Sequence, residues 1–248
     1  MKNIVVTGAN GFIAKNIISI LSLHKEYNLI KITREDDKKS IQLKLSKTDI
    51  LLHFAGANRP TKIHDLDFDN VLFTKFIIDE LLAINKKCLF VMSSSTQAVL
   101  NNNYGISKKK AEDYVIAKSI GTKLSSHIYR FPGIFGKGGL PNYNSVVATF
   151  CYNISNGLPI VINNPETILS LMYVDDIAKD LISLFNNEII EGEIILKEFI
   201  NANSIKLLDL ANKILYFRDS VKNNIIPEQN NKFEKDLFNT YMSYQSKT

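Results

Sequence analysis

Short apolar runs alternate with longer segments of helical periodicity over the first half of the chain. Five runs are rich in apolar and β-branched residues and predict buried strands: NIVVTG, YNLIKIT, DILLHFAG, CLFVMSSS and KLSSHIYRF. Between them, apolar residues recur every three or four positions, which predicts amphipathic helices in FIAKNIISILSLHKE, in FDNVLFTKFIIDELLAINK and over residues 103–120. The polar, lysine-rich residues 36–47 predict a short helix and a loop.

Strands that alternate with helices indicate a parallel sheet covered on both faces, which is a doubly wound α/β arrangement, the Rossmann fold. The alternation ends near residue 131, where FPGIFGKGGLPNYN is rich in turn-forming residues. The segments that follow predict a helix at 144–156, a strand and helix in LSLMYVDDIAKDLISLF, a strand in GEIILKEF and a helix at 204–217. A polar C-terminal stretch completes a smaller, interleaved α/β lobe.

These patterns divide the chain into a dinucleotide-binding core and a substrate-binding lobe. The core is predicted to span residues 1–135, with residues 168–186 returning to it. The lobe is predicted to span residues 136–167 and 187–248.

Composition narrows the function classes. The 248 residues carry a net charge of only +5, without a basic stripe or a nucleic-acid-binding motif. No apolar run is long enough to cross a bilayer. Cys88 and Cys151 lie in apolar segments and are interpreted as reduced core thiols, so a cytoplasmic protein is expected. None of the four histidines is spaced as a metal pair, and no metal is expected.

The segment TGANGFIA follows the first strand and opens the first helix, as a phosphate-binding turn does. Gly8 permits the tight turn, Gly11 lets the backbone approach a pyrophosphate, and Ala14 packs helix on strand. The positive end of the helix dipole favours the phosphates. Without its position after the first strand, this glycine pattern would be weak evidence.

The second strand ends in ITREDD, which bears on the choice of cofactor. Arg34 is suited to a 2′-phosphate, which favours NADPH, although Glu35 and Asp36 keep NAD(H) as an alternative. Asp49 and Ile50 begin the third strand and are candidates for contact with the adenine, or are plain loop and core.

Three Tyr-x-x-x-Lys spacings occur, at Tyr27, Tyr104 and Tyr114. Tyr104 stands at a helix start directly after the fourth strand, and ligands bind at this end of the strands in doubly wound folds. Lys108 lies one helical turn further on the same face. Tyr104 is therefore predicted to transfer the hydroxyl proton in a hydride-transfer reaction. Lys108 is expected to lower its pKa and hold the cofactor ribose, and Ser95 to orient the substrate oxygen.

In this order, TGANGFIA, HFAG, SSS and YGISK resemble the extended short-chain dehydrogenase/reductases, which act on nucleotide sugars with NAD(P). RFPGIFG and YVDD extend the resemblance. It implies catalytic roles for Ser95, Tyr104 and Lys108, with Ser94 the alternative serine. The implied cofactor-binding residues are Gly8, Asn10, Gly11, Phe12, Ile13, Arg34, Asp49, Ile50, Phe54, Ala55, Gly56, Tyr104, Lys108 and Phe131. It also implies a homodimer formed by the helices at 64–86 and 103–120.

A narrower resemblance rests on GANRP, LPNYNSVVATFCYNI and FEKDLFNTYMSY, which are similar to the CapF-type bifunctional enzymes of capsule and O-antigen precursor synthesis. It implies an NADPH-dependent reductase of the 4-keto group of a UDP-2-acetamido-2,6-dideoxy-hexos-4-ulose, on the route to UDP-N-acetyl-L-fucosamine. The implied substrate-binding residues are Arg59, Ser94, Thr96, Asn142, Tyr143 and Asn144.

The chain also departs from these enzymes. Gly133 replaces an asparagine and Met172 a more polar residue. The CapF-type enzymes continue into a metal-binding cupin domain, whereas this sequence ends at Thr248, either as a stand-alone reductase or as part of a longer chain. Two other functions stay open: an NAD-retaining 4-epimerase or dehydratase, and a non-catalytic NADP(H)-binding protein. Thr96 and Gln97 beside the serine count against a dehydratase, which needs an acidic residue there.

Overall fold

The computed structural model describes residues 1–58, 66–199 and 202–245. The chain forms two compact units. The first comprises Met1–Phe131 and Ala178–Phe199, and the second Pro132–Ile177 and Ile200–Thr248.

A six-stranded parallel sheet forms the centre of the first unit, in the order β2-β1-β3-β4-β5-β8. Its strands are β1 (Lys2–Thr7), β2 (Tyr27–Ile32), β3 (Ile50–His53), β4 (Cys88–Ser95), β5 (Leu124–Phe131) and β8 (Ile194–Glu198). Every residue of β3, β4 and β5 is buried, as expected for strands covered on both faces. The order β2-β1-β3-β4-β5 is a doubly wound one, so the predicted Rossmann-like fold is confirmed.

The helices of the first unit follow the predicted rhythm. They are α1 (Phe12–Leu21), α2 (Lys38–Leu45), a π-helical turn (Asp67–Leu72) continuing into α3 (Phe73–Ile84), a 3-10 turn (Thr96–Val99), α4 (Asn103–Ser119) and the later part of α6 (Val174–Phe185). Their apolar faces pack on the sheet, where Ile77, Ile78 and Val115 join Leu51 and Phe90 in one core cluster.

The second unit is built on a three-stranded sheet in the order β6-β7-β9. Its elements are β6 (Gly133–Phe135), α5 (Val146–Ser155), β7 (Ile168–Tyr173), β9 (Asn203–Lys206), α7 (Leu207–Lys222) and α8 (Lys232–Met242). β6 and β7 are parallel, whereas β7 and β9 are antiparallel. Leu237 and Tyr241 bury one face of α8, so the stretch predicted only as polar is a helix with a narrow apolar stripe.

The unit boundaries differ from the predicted domain boundaries. The segment that returns to the first unit is 178–199, not 168–186. The reason is strand pairing: β7 (Ile168–Tyr173) pairs with β6 and β9, whereas β8 (Ile194–Glu198) pairs with β5. Among the described residues, no helix is long and apolar enough to cross a membrane.

Candidate active site

The turn between β1 and α1 brings two pieces of backbone into close contact. Gly8 has φ +63°, and a Cβ atom there would lie 2.7 Å from the Cα and N of Ala55. The left-handed conformation and this close approach both require glycine. The backbone N–H of Gly11 donates to the carbonyl of Gly8 at 2.8 Å, which closes the turn.

At this turn, the N-terminus of α1 carries the partial positive charge of the helix dipole without a capping side chain. Gly11 is the N-cap, no side chain caps the helix, and its first turn holds no acidic residue. Asn10 and Gly11 are exposed, Phe12 and Ile13 are half-buried, and Ala14 is buried against the sheet. Such a helix end is suited to a pyrophosphate.

In the turn after β2, the carboxylate of Asp36 is held by neighbouring groups, whereas the side chain of Arg34 is exposed. The carboxylate of Asp36 accepts from Thr33 N at 2.9 Å and Ser40 Oγ at 2.6 Å, and it pairs with Lys44. These partners outweigh its partial burial and lower the pKa of Asp36 to about 2. Arg34 extends into solvent, with its side chain 88% exposed, and its Nη2 donates to Asp69 at 3.1 Å.

The structure does not support the expectation that Asp49 and Ile50 border the adenine. They lie at the amino end of β3, whereas Gly8 follows the carboxyl end of the neighbouring strand β1. The carboxylate of Asp49 accepts from Asn3 N at 2.8 Å and Lys86 Nζ at 2.7 Å, and Ile50 is core. In doubly wound folds, ligands bind at the carboxyl ends of the strands, whereas Asp49 lies at the amino ends.

The loop after β3 contains Phe54, Ala55 and Gly56, and Gly56 lies against the buried ammonium of Lys108. A Cβ atom on Gly56 would be 3.1 Å from Lys108 Nζ and 2.7 Å from Asn70 Oδ1. Both backbone groups of Ala57 are held by the side chain of Asn70, at 2.8 and 2.9 Å. Asn70 therefore positions this loop from the π-helical turn, a geometry that recurs at functional sites.

Ser95, Tyr104 and Lys108 come together at the carboxyl end of β4. The side chain of Ser95 is close enough to the phenol of Tyr104 to favour its ionised form, and Ser95 Oγ accepts from Gln97 N at 3.1 Å. Lys108 is buried, and its Nζ donates to the carbonyl of Ser93 at 3.0 Å. Helix α4 begins where it does because Asn102 caps it, its side chain accepting from Gly105 N at 2.8 Å.

The electrostatics of this group differ from the prediction for Tyr104. Burial raises the pKa of Tyr104, and the neighbouring hydroxyl of Ser95 only partly offsets that effect. The pKa of Tyr104 is therefore raised and not lowered, with the ammonium of Lys108 held by the carbonyl of Ser93, and stabilisation of the phenolate by Lys108 stays a prediction. Burial also lowers the pKa of Lys108 itself to about 8, against the opposing field of Glu112.

The neighbouring serine has a different partner. Ser94 Oγ donates to the buried carboxylate of Glu112 at 2.5 Å, so this hydroxyl belongs to the interior, and Ser95 is the serine that interacts with Tyr104. Thr96 is exposed and opens the 3-10 turn. Phe131 lies opposite Ser95 in the β4–β5 register and stacks on Phe199.

Of the four other predicted substrate residues, three lie in the second unit. Arg59 lies outside the described residues. Asn142, Tyr143 and Asn144 belong to the second unit, in the loop before α5. Asn142 has φ +54°, and its N–H donates to Thr149 Oγ1 at 2.9 Å, while Tyr143 and Asn144 are exposed.

Sequence reasoning missed three buried polar residues: Asn70, Glu112 and Arg130. Each carries a signal in hindsight. Asn70 shares the buried face of its helix with Thr74 and Ile77, Glu112 lies one turn beyond Lys108, and Arg130 is a charged residue in a predicted buried strand. A polar residue on an apolar face needs a partner, which points to a network.

A model of the NAD dependent epimerase/dehydratase family matches residues 4–195. The chain belongs to this family. It is 31% identical, over 97% of its length, to a UDP-2-acetamido-2,6-beta-L-arabino-hexul-4-ose reductase from Pseudomonas aeruginosa. That alignment covers 64% of the relative.

Solved structures of this fold include further relatives. The capsular polysaccharide assembling protein CapF from Staphylococcus aureus matches with a TM-score of 0.85 and 33% identity, over 98% of this chain and 65% of that one. The chain thus spans less than two thirds of the length of both relatives. UDP-glucose 4-epimerase from Thermotoga maritima, at a TM-score of 0.81 and 16% identity over 98% of each chain, shares the fold.

Proposed function

We propose that this chain is an NADPH-dependent reductase of the 4-keto group of a UDP-linked 2-acetamido-2,6-dideoxy-hexos-4-ulose, acting in the synthesis of capsule or O-antigen precursors. The observation that carries the proposal is the convergence of Ser95, Tyr104 and the buried ammonium of Lys108 at the carboxyl end of β4. The reductase name of the P. aeruginosa relative supports the substrate class.

Ser95, Tyr104 and Lys108 are proposed to have different roles in the transfer of the proton. NADPH, when bound, supplies the hydride that adds to the carbonyl carbon. Ser95 donates a hydrogen bond to the carbonyl oxygen, and Tyr104 gives its phenolic proton to that oxygen as the C4 hydroxyl forms. Lys108 stabilises the phenolate that is left until a proton from solvent restores it.

The raised pKa of Tyr104 suits the direction of reduction. A general acid must carry its proton at the working pH, and burial keeps this phenol protonated through the neutral range. Lys108, with a pKa of about 8, is charged at neutral pH and loses its charge above it. Turnover is therefore expected to fall as the pH rises through about 8.

The cofactor is proposed to be held by the β1–α1 turn and by Arg34. The close backbone approach at Gly8 and the uncapped end of α1 fit a dinucleotide. Arg34 is exposed, while the partners of Asp36 occupy that carboxylate, which favours a 2′-phosphate over a free ribose diol.

Cofactor choice is tested with Arg34→Ala. The expected result is a KM for NADPH raised by about 10- to 100-fold with little change for NADH, because one charge-assisted contact to the phosphate is lost. Lys39→Ala removes the same charge from the exposed side of α2 and is the matched control. Equal effects of Arg34→Ala on both cofactors would contradict the assignment.

The sugar nucleotide is proposed to be bound by Arg59, Thr96, Asn142, Tyr143 and Asn144. Support comes from the resemblance of GANRP and LPNYNSVVATFCYNI to the CapF-type enzymes and from the exposure of Tyr143, at 43%.

The activity is tested by supplying NADPH or NADH with the 4-keto UDP-sugar and following nicotinamide absorbance. Stoichiometric oxidation of NADPH that is lost in Tyr104→Phe is the expected result. Conversion of the sugar without net oxidation, with NAD released on denaturation, would identify a 4-epimerase and overturn the reductase. Tight NADPH binding without turnover of this sugar would favour a non-catalytic binder.

The protein is further proposed to be a cytoplasmic homodimer. Support comes from large apolar side chains exposed around the π-helical turn and the start of α4: Phe68, Leu72, Val99, Leu100 and Ile106. Light-scattering mass across a hundredfold range of concentration is expected to give twice the 28.1 kDa of the chain, and a constant monomer mass would refute the dimer.

A further inference from the structure

Three residues of α4 meet three consecutive residues of β4. Tyr104, Lys108 and Glu112 recur every four positions and so share one face of the helix. The side chain of Tyr104 lies beside that of Ser95, Lys108 Nζ donates to the carbonyl of Ser93, and Glu112 accepts from the hydroxyl of Ser94.

The third contact is the most deeply buried of the set. Glu112 has no exposed surface, and Arg130 forks onto it with Nε–Oε1 at 2.9 Å and Nη2–Oε2 at 2.7 Å. Arg130 stands on β5 directly opposite Ser94 in the strand register. One carboxylate therefore ties α4 to both β4 and β5 just below the candidate catalytic residues.

This carboxylate also balances charge in the interior. Lys108 and Arg130 are buried cations at 6% and 7% exposure, and Glu112 interacts with both. The negative charge opposes the loss of the Lys108 proton that burial favours. A buried cation left without its counter-charge is strongly destabilised, so the site depends on this anion.

We infer that Glu112 is a positioning residue for the reaction: it holds Ser95 and Lys108 in place beneath Tyr104 and supplies the negative charge beside Lys108. Glu112 acts through Ser94 and Arg130 and does not touch the reacting atoms. The inference rests on the proposed reductase function for its kinetic consequences. Its structural consequence, the charge state of Lys108, is independent of turnover.

The first test is Glu112→Gln, which keeps the shape and a hydrogen-bond acceptor but removes the charge. The expected kcat is about 10- to 100-fold lower, with KM changed far less, because a nearby charge shifts a pKa by about one unit or more and the site loses its register. The alkaline limb of the pH profile is expected to move to lower pH. Glu112→Asp, which keeps the charge, is expected to restore that limb.

Two further variants separate positioning from folding. Glu198→Gln removes the other carboxylate on Arg130, which Nη1 contacts at 2.8 Å, and is expected to leave kcat and the pH profile unchanged. Ser94→Ala removes one contact but keeps the buried ion pair, so it is expected to lower kcat by about 3- to 10-fold with an unchanged pH profile.

The readout that does not need turnover is the titration of Lys108 itself. In protein with ¹³C-labelled lysine Cε, the Lys108 resonance, assigned by its loss in Lys108→Met, is expected to titrate at lower pH in Glu112→Gln than in the wild type. An unchanged titration, or a loss of kcat that only follows a loss of thermal stability, overturns the inference. If the Lys108 titration shifts in Glu112→Gln but the wild type does not reduce the sugar, the inference about Glu112 stands and only the proposed reductase function is refuted.

Discussion

Helix α4 carries two tyrosine–lysine pairs with the same spacing in different surroundings. Tyr104 and Lys108 face the end of β4, where the phenol meets Ser95 and the ammonium is buried on a carbonyl. Tyr114 and Lys118 lie three turns later, where the phenol donates to exposed Asp79 at 2.6 Å and the ammonium lies 5.6 Å from the ring centroid. The spacing brings both pairs together, but the strand beneath the helix decides which pair has a neighbour for chemistry.

The two pairs also differ in what sets the tyrosine pKa. Burial is the main cause of the rise at Tyr104, whereas at Tyr114 the hydrogen bond to the carboxylate of Asp79 raises the pKa to about 12. A phenol that donates to a carboxylate gives up its proton reluctantly and has no access to a substrate. The second pair is thus a surface contact, and it supplies matched controls for the first.

The largest expected difference is between the two phenols. Tyr104→Phe is expected to lower kcat by about 10²- to 10⁴-fold, because it removes the general acid. Tyr114→Phe is expected to leave kcat within about twofold, as surface changes usually do. Steady-state NADPH oxidation measures both, and a comparable loss in the two variants would remove the distinction.

The next largest difference in activity is expected between variants of the two lysines. Lys108→Met is expected to lower kcat by about 10²-fold and weaken NADPH binding, since the charge that stabilises the phenolate and the proposed ribose contact are both lost. Lys118→Met changes a side chain over an exposed ring and is expected to do neither. Fluorescence titration with NADPH provides the binding constants, and tight binding by Lys108→Met would argue against the ribose contact.

Stability should depend on pH through Lys108. Its folded pKa of about 8 lies below the ordinary value of 10.5, so at pH 8 to 10 the unfolded chain binds more protons. The Lys108 contribution to the free energy of unfolding therefore rises with pH in that window, by up to about 3 kcal/mol. Urea unfolding of wild type and Lys108→Met between pH 7 and 9.5 measures the difference, which a flat curve would contradict.

The smallest effect is expected at Asp79. Asp79→Asn removes the carboxylate that accepts from Tyr114, so the pKa of that tyrosine is expected to fall from about 12 toward 10 while turnover is unchanged. Ultraviolet difference titration against Tyr114→Phe isolates the signal of this one phenol. A loss of turnover in Asp79→Asn would mean that the second pair also serves the reaction.

Local pattern was sufficient for much of the fold and for part of the candidate site. The strand CLFVMSSS is β4 residue for residue, and α4 ends one residue before the predicted 120. Helices and strands repeat over a few residues, so the period and the bounding glycines predict them. The same local signals did not predict α8, because its apolar stripe is narrow. They also misplaced Asp49, because the sequence around a strand does not show whether a side chain lies near the ligand-binding ends of the sheet.

The sequence by itself determined the family, the alternation that builds the parallel sheet, and the candidates Gly8, Tyr104 and Lys108, because each depends on spacing within one turn or one strand. Tertiary structure alone decided that Ser94, the alternative serine, is held by Glu112, that burial raises the pKa of the Tyr104 phenol, and that Glu112 joins Ser94 to Arg130. These features arise between residues up to 18 positions apart and depend on desolvation. They exist once the helix has packed on the sheet and excluded water.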